Sequence, residues 1–244
     1  MTTREFISKI AEAAAGYPER VFSERGRVYT CVNPYYYHIM KRHSDLYAAM
    51  DGLFVDGMTM CWWIRLFWGV KIPRLSFDMS SMAADLFARL NASDCRETIY
   101  FIGSRQEEIE KSIEKIHTAY PGVAIAGWRN GYFRDEEERS AAIRQIVAAG
   151  SDFAVVGMGS PLQERFALDL HRAGYRGIVF TCGGFLHQTS AGIRYYPDWI
   201  NRFNLRAFYR LTHEKGMFSR LFQVLVGFPI RFAIDSITCK LNSK

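Results

Sequence analysis

Between Phe153 and Glu164 the chain reads FAVVGMGSPLQE, and this stretch leaves the fold little freedom. Phe153 to Val156 is an apolar run of strand length, which predicts a buried strand. Gly157 and Gly159 permit a tight turn, and Ser160-Pro161 offers a helix N-cap followed by the favoured first helical residue. A strand, turn and helix joined in this way aim free backbone N–H groups above the strand, where a phosphate or diphosphate can bind. The same junction also serves many α/β proteins as a turn and nothing more.

The alternation recurs along the chain. Thr3 to Gly16 predicts a short amphipathic helix with Phe6, Ile7 and Ile10 on its apolar side, assigned to packing. Strands are expected at 27–32, 53–55, 98–102, 123–126, 153–156 and 177–182. Between them fall helical patterns at 35–50, 58–68, 76–90, 107–120, 135–149 and 161–173. Strands alternating with helices of this length argue for an α/β fold, a right-handed and mostly parallel sheet covered on both faces. The 244 residues, 49% of them hydrophobic, suffice for one large domain with an appendage. Five widely spaced cysteines without a C-x-x-C pair indicate neither a disulfide framework nor a cysteine zinc site, and fit a reducing cytosol. The N-terminus mixes charges into its helical pattern and lacks the apolar core of a signal peptide.

Net charge is +6, all of it in the tail. From Ile200 onward Arg202, Arg206, Arg210, Lys215, Arg220, Arg231, Lys240 and Lys244 face only Glu214 and Asp235, while the rest of the chain is neutral. Such asymmetry points to an anionic partner: a lipid surface, a phosphorylated substrate or nucleic acid. Phe218, Leu221, Phe222, Leu225, Val226, Phe228 and Phe232 interleave with the basic residues, which favours lipid over a nucleic-acid backbone. Leu221 to Ile230 is too short to cross a bilayer and contains Gln223, Gly227 and Pro229, so the tail is expected to lie on a membrane without spanning it. A helix pair docked on its own domain with a solvated basic face is the other reading.

Asp56, at the end of a strand, sits where open α/β sheets place their ligand chemistry, and is a candidate general base or the cap of the following helix. Thr30 and Asn33 stand at another strand end, where Asn33 faces a ligand or caps the next helix. Gln163, three residues after Ser160, completes a capping box or faces a ligand. The WWIRLFW cluster at 62–68 reads as core or as a contact in a homo-oligomer.

Taken in order, VDG at 55–57, NGYF at 130–133, VVGMGSPLQE at 155–164, the AG at 191–192 and the following YPDW and YRL resemble the WecG/TagA/CpsF family, glycosyltransferase family 26. The likeness covers about residues 30–220. It implies a Rossmann-like body at 1–199 and a basic amphipathic, membrane-associating helical appendage at 200–244. The implied activity is inverting transfer from a UDP-sugar to a polyprenyl-diphosphate-linked saccharide, without cofactor or metal, by a peripheral protein at the cytoplasmic face of the bacterial membrane. It serves exopolysaccharide or other cell-surface polysaccharide synthesis. Asp56 falls on the family's proposed base. Thr30, Asn33, Gly157, Gly159, Gln163 and Glu164 fall on donor-binding elements, and Arg210 and Arg220 on arginines that approach the donor diphosphate. The sequence departs from the family pattern at Asn130, where an Asp is usual, at His187-Gln188 in place of FD, and at Met217, near a position usually basic. A non-catalytic nucleotide-binding regulatory module and a nucleic-acid binder remain the readings of other classes.

Overall fold

The structure, a computed structural model, describes residues 1–92, 94–193 and 217–242, with side chains in the last segment from Arg220 onward. Six strands form one sheet: β1 (Val28–Val32), β2 (Gly52–Val55), β3 (Thr98–Gly103), β4 (Ala124–Arg129), β5 (Phe153–Gly157) and β6 (Ile178–Thr181). Their order is β2-β1-β6-β5-β3-β4, and every pairing is parallel. Parallel strands need crossovers, and helices supply them: α1 (Thr3–Ala15) precedes the first strand, α2 (Tyr37–Arg42), α3 (Ser44–Ala48), α4 (Met58–Trp68), α5 (Met82–Leu90), α6 (Gln106–Ala119), α7 (Glu136–Ala149) and α8 (Leu162–Arg172) connect the strands, and α9 (Phe185–Ala191) follows the last.

Strand periodicity divides the apolar residues between two cores. Val28, Val32, Leu53, Val55, Ala154, Val156 and Val179 face the layer of α4, α7 and α8. Tyr29, Phe54, Ile99, Phe101, Phe153, Val155 and Phe180 face α5, α6 and α9. β1, β2, β5 and β6 are almost wholly buried, whereas edge strand β4 has no fully buried residue. This is why the interior strands read as continuous apolar runs.

Three boundaries differ from the sequence expectation. The helix expected over 35–50 is two, α2 and α3, meeting at His43. The helix expected from Ser76 starts at Met82, because Asp78 Oδ1 accepts from the Ser80 backbone N–H (2.9 Å) and Ser76 is engaged by Arg74. α8 starts at Leu162, after a cis Ser160–Pro161 peptide bond. Ser160 donates its hydroxyl to Glu164 Oε1 (2.8 Å), so the expected cap and capping box are not formed.

The C-terminal segment is α10 (Met217–Phe222), a π-helical turn at Gln223–Gly227, and α11 (Phe228–Leu241). Gly227 and Pro229 therefore do not interrupt the helix as expected, since the π-helical turn carries the chain through them into α11. As a result residues Arg220–Leu241 make one helix long and apolar enough, by length and composition, to cross a membrane. One side of α11 is docked on the body. Phe228 and Phe232 are buried against Tyr37, at 5.3 and 5.7 Å between ring centroids. Tyr37 donates to Asp235 Oδ2 (2.8 Å) and Trp68 Nε1 to Ser236 Oγ (3.0 Å). The other side exposes Ile230, Ile234, Ile237 and Leu241 at helical spacing, and neighbouring α4 exposes Trp62 and Leu66.

Candidate functional site

The carboxyl ends of the strands gather the loops after β1, β2, β3, β5 and β6 along one edge. At β3 and β5 the strand order reverses, and α6 and α8 leave on opposite faces, which opens a crevice of the kind in which open α/β sheets hold ligands. Glycines draw the loop tips together there. A Cβ on Gly103 would lie 2.2 Å from Gly157 O, and one on Gly157 would lie 2.7 Å from Cys182 Sγ. Ser104, with φ of 54°, donates its N–H to Gly157 O (3.0 Å) and accepts from Gly131 N–H (3.0 Å), so three loops are stitched by backbone. Gly159 takes φ of 76°, a conformation that requires little only of glycine.

Asp56 follows β2 directly, its N–H bonded to Val32 O (2.9 Å) so that it stands beside the end of β1. Its Oδ1 accepts from Arg74 Nη2 at 2.9 Å, and Oδ2 has no hydrogen bond among the described residues. The same guanidinium nitrogen reaches Ser76 Oγ (2.6 Å) and Asp78 Oδ2, so one partly buried cation sits between two carboxylates. Burial works against the Arg74 charge, but Asp56 and Asp78 outweigh it and hold the guanidinium's pKa above its ordinary value. Asp56 is the most open member, with 39% of its side chain exposed against 14% for Arg74 and 17% for Asp78. The set can present one oriented carboxylate oxygen to a ligand hydroxyl.

Thr30, Gln163 and Glu164 are brought together on the other side of β1, and all three are buried. Glu164 Oε1 accepts from Thr30 Oγ1 (3.0 Å), Ser160 Oγ (2.8 Å) and Gln163 Nε2 (2.9 Å). Gln163 Oε1 accepts from Gly183 N–H (3.1 Å), which ties α8 to the loop after β6. Asn33 Oδ1 accepts from Tyr36 N–H (2.9 Å), the turn-capping role. Arg220 stacks over Tyr35, 5.1 Å from the ring centroid, so the tail reaches the loop after β1. Arg210, with Arg202, Arg206, Lys215 and the YPDW and YRL wording, lies outside the described residues, as does the side chain of Met217.

The departures from the family pattern have structural settings. Asn130 Oδ1 accepts from Tyr132 N–H (3.0 Å), which an Asp would also do, and its Nδ2 donates to Gln106 Oε1 (2.8 Å), which an Asp could not. His187 Nδ1 lies 3.0 Å from Glu108 Oε1, and Gln188 is in the same helix, α9. No group of three or more His, Cys, Asp or Glu suited to a metal ion occurs among the described residues.

Sequence reasoning missed Arg74, Ser76 and Asp78. The signal available was the polar i, i+2, i+4 set in RLSFD, at 74–78, but Ser76 and Asp78 read as the start of the helix expected over 76–90. Thr181 and Tyr47 were missed for another reason: one ends a buried strand and the other lies on a short helix, and each reads as core.

Fold and geometry together define an open parallel α/β protein with its candidate site residues gathered at the carboxyl edge of the sheet. The sequence matches the glycosyl transferase WecG/TagA/CpsF family over residues 2–241, and the chain belongs to that family. It is 34% identical over 210 residues to the UDP-Gal:alpha-D-GlcNAc-diphosphoundecaprenol beta-1,4-galactosyltransferase of Shigella boydii, covering 86% of this chain and 87% of that protein. It is 29% identical over 133 residues to the N-acetylglucosaminyldiphosphoundecaprenol N-acetyl-beta-D-mannosaminyltransferase of Bacillus subtilis, covering 54% of this chain and 51% of that protein. The protein of the same description from Bacillus spizizenii is 28% identical over 142 residues, 57% of this chain and 54% of the relative.

Proposed function

We propose that this chain is an inverting, metal-independent hexosyltransferase that moves a sugar from a UDP-sugar to a polyprenyl-diphosphate-linked saccharide at the cytoplasmic face of the bacterial membrane. The pathway served is exopolysaccharide or other cell-surface polysaccharide synthesis. The observation that carries the reading is Asp56 itself: a carboxylate at the sheet's carboxyl edge, with one oxygen held by Arg74 and the other open. In a single displacement the acceptor hydroxyl attacks the anomeric carbon, its proton passes to Asp56 Oδ2, and UDP leaves with the electrons of the broken glycosyl bond. Arg210 and Arg220 meet the diphosphate as charge grows on it. Gly157, Gly159 and Asn33 line the donor side of the Rossmann-like body, and Thr30, Gln163 and Glu164 hold that side from behind. A purified enzyme should consume UDP-sugar in a panel headed by UDP-galactose, the donor named for the Shigella relative, with a GlcNAc-diphosphopolyprenyl acceptor. If no UDP-sugar is turned over, the enzymatic reading falls.

The division at 199/200 and the membrane partner belong to the same proposal. Because α11 buries Phe228 and Phe232 on the body, the helix lies along the protein with only its outer side available, which favours an interfacial position over a spanning one. Trp62 and Leu66 of α4 extend that apolar surface, and exposed Arg65, Arg231 and Lys240 supply charge for anionic headgroups. Deleting 200–244 would uncover Tyr37 and Trp68, so point changes on the exposed side are the cleaner test. Trp62→Ser combined with Ile234→Ser should lower binding to anionic vesicles at least about tenfold, since each side chain is worth roughly 1.5–3 kcal/mol when buried. Flotation and thermal melting check this. Unchanged flotation with an unchanged melt would rule this face out, and a lost dimer would make it a subunit contact.

A further inference from the structure

Behind the donor side lies a titratable group that proton transfer to Asp56 does not use. Glu164 is completely buried in the first turn of α8, and its two oxygens are treated differently. Oε1 accepts three hydrogen bonds, from Thr30, Ser160 and Gln163. Oε2 is out of contact with solvent and has no hydrogen-bond partner among the described residues. The directions of the surrounding bonds are fixed. Thr30 spends its hydroxyl proton on Glu164, so in its 2.6 Å contact with Thr181 it is Thr181 that donates. Gln163 Oε1 is committed to Gly183 N–H, so its amide must present Nε2 to Glu164. Every donor that reaches Glu164 thus meets one oxygen and none meets the other, an asymmetry that leaves half of a delocalised anion's charge unsolvated.

Among the described residues, the groups that face Glu164 from the packed elements supply no countercharge. β1 brings Thr30, β6 brings Thr181, and α3 brings the Tyr47 phenol, which lies by Ser160 and whose pKa burial raises. The charge that α7 brings to α8 is Arg139, already engaged with Asp169 and Glu136. The positive end of the α8 dipole favours an anion, but it acts against the desolvation of a fully buried charge with one oxygen unsolvated, and desolvation is the larger effect. Burial accordingly pushes the Glu164 carboxyl pKa up, and the three hydrogen bonds do not bring it back.

We propose that Glu164 is a positioning residue held as a neutral carboxylic acid, whose carboxyl group locks Thr30, Ser160 and Gln163. This places a neutral hub behind the wall that faces an anionic diphosphate, where a carboxylate would repel it. The kinetic consequence rests on the transferase reading given above; the protonation state does not. Glu164→Gln copies the neutral acid in shape and in its Oε1 acceptor, whereas Glu164→Ala leaves the three donors unpaired.

Three measurements on the full chain test the idea. Infrared spectra near neutral pH should show the carbonyl band of a buried protonated carboxylic acid, absent from Glu164→Gln. Thermal melts from about pH 5 to about pH 8 should show Glu164→Gln gaining on the wild type as pH rises, because the native carboxyl keeps a proton that the unfolded chain releases. In turnover, Glu164→Ala should raise the donor KM about tenfold, and the conservative Glu164→Gln should recover most of that loss. A missing band, a melting difference independent of pH, or Glu164→Gln failing as Glu164→Ala does would each overturn the proposal. The first two readouts need no turnover, so an inactive enzyme would sink the transferase reading and leave the protonation state decided.

Discussion

Asp56→Asn is expected to lower turnover by about 10²- to 10⁴-fold, the usual contribution of a positioned general base, while the affinity for the UDP-sugar stays within about twofold. The substitution is close to isosteric. An amide oxygen can still accept from Arg74 Nη2, so the loop after β2 keeps its anchor, but the other position becomes an N–H₂ donor that cannot take a proton. Only the open oxygen changes character. Steady-state kcat and a calorimetric titration with the UDP-sugar measure the two quantities separately. A chain that used the same crevice as a regulatory nucleotide-binding module would bind with no turnover to lose. Retained turnover in Asp56→Asn would remove Asp56 as the base, and lost donor binding would make it a ligand contact.

The parallel sheet was legible because burial on both faces writes each interior strand as an unbroken apolar run, as in Phe153–Val156 and Val28–Val32. Helix α7 was equally plain, with Asp135 as its cap and Gly150 past its end. Harder to read were the places where side chains compete with the backbone. Ser160 looked like a cap because Ser, Pro and a Gln three residues on is a capping pattern, yet its hydroxyl is drawn inward by Glu164. The start of α5 was set too early because Ser76 and Asp78 resemble caps while serving Arg74. The tail helix was cut short on paper by Gly227 and Pro229, since a sequence does not show that a π turn can carry the chain through them.

The site shows the same division. Asp56, Thr30, Gln163 and Glu164 were found as positions at strand ends and in a motif, which says where they are and not whom they bind. That Thr30, 134 residues away in sequence, lies on Glu164 is a fact of the β1-β6-β5 order. The tail's charge excess was visible in composition. Its docking depends on Phe228 and Phe232 finding Tyr37, a contact that no local pattern encodes.

Arg74→Met is the change expected to do most damage to both stability and rate. The side chain is nearly isosteric along its stem but removes the cation that Asp56, Ser76 and Asp78 share. Breaking a buried pair leaves a carboxylate without its partner and costs about 3–5 kcal/mol. Asp78, 17% exposed, bears most of that cost. Asp56, at 39%, recovers part of its solvation from water, so about 3 kcal/mol is the expected loss, read from the denaturant midpoint. Turnover should fall about 10²-fold besides, because an Asp56 no longer held at one oxygen samples orientations in which Oδ2 misses the acceptor hydroxyl. Arg74→Lys separates the two effects. A lysine restores the positive charge, but its shorter stem does not carry the ammonium to the place where Nη2 meets Asp56, Ser76 and Asp78 together, so stability should return further than rate. Equal recovery of both would mean that Arg74 acts on Asp56 only through charge, and a stable, fully active Arg74→Met would show that Asp56 needs no such anchor.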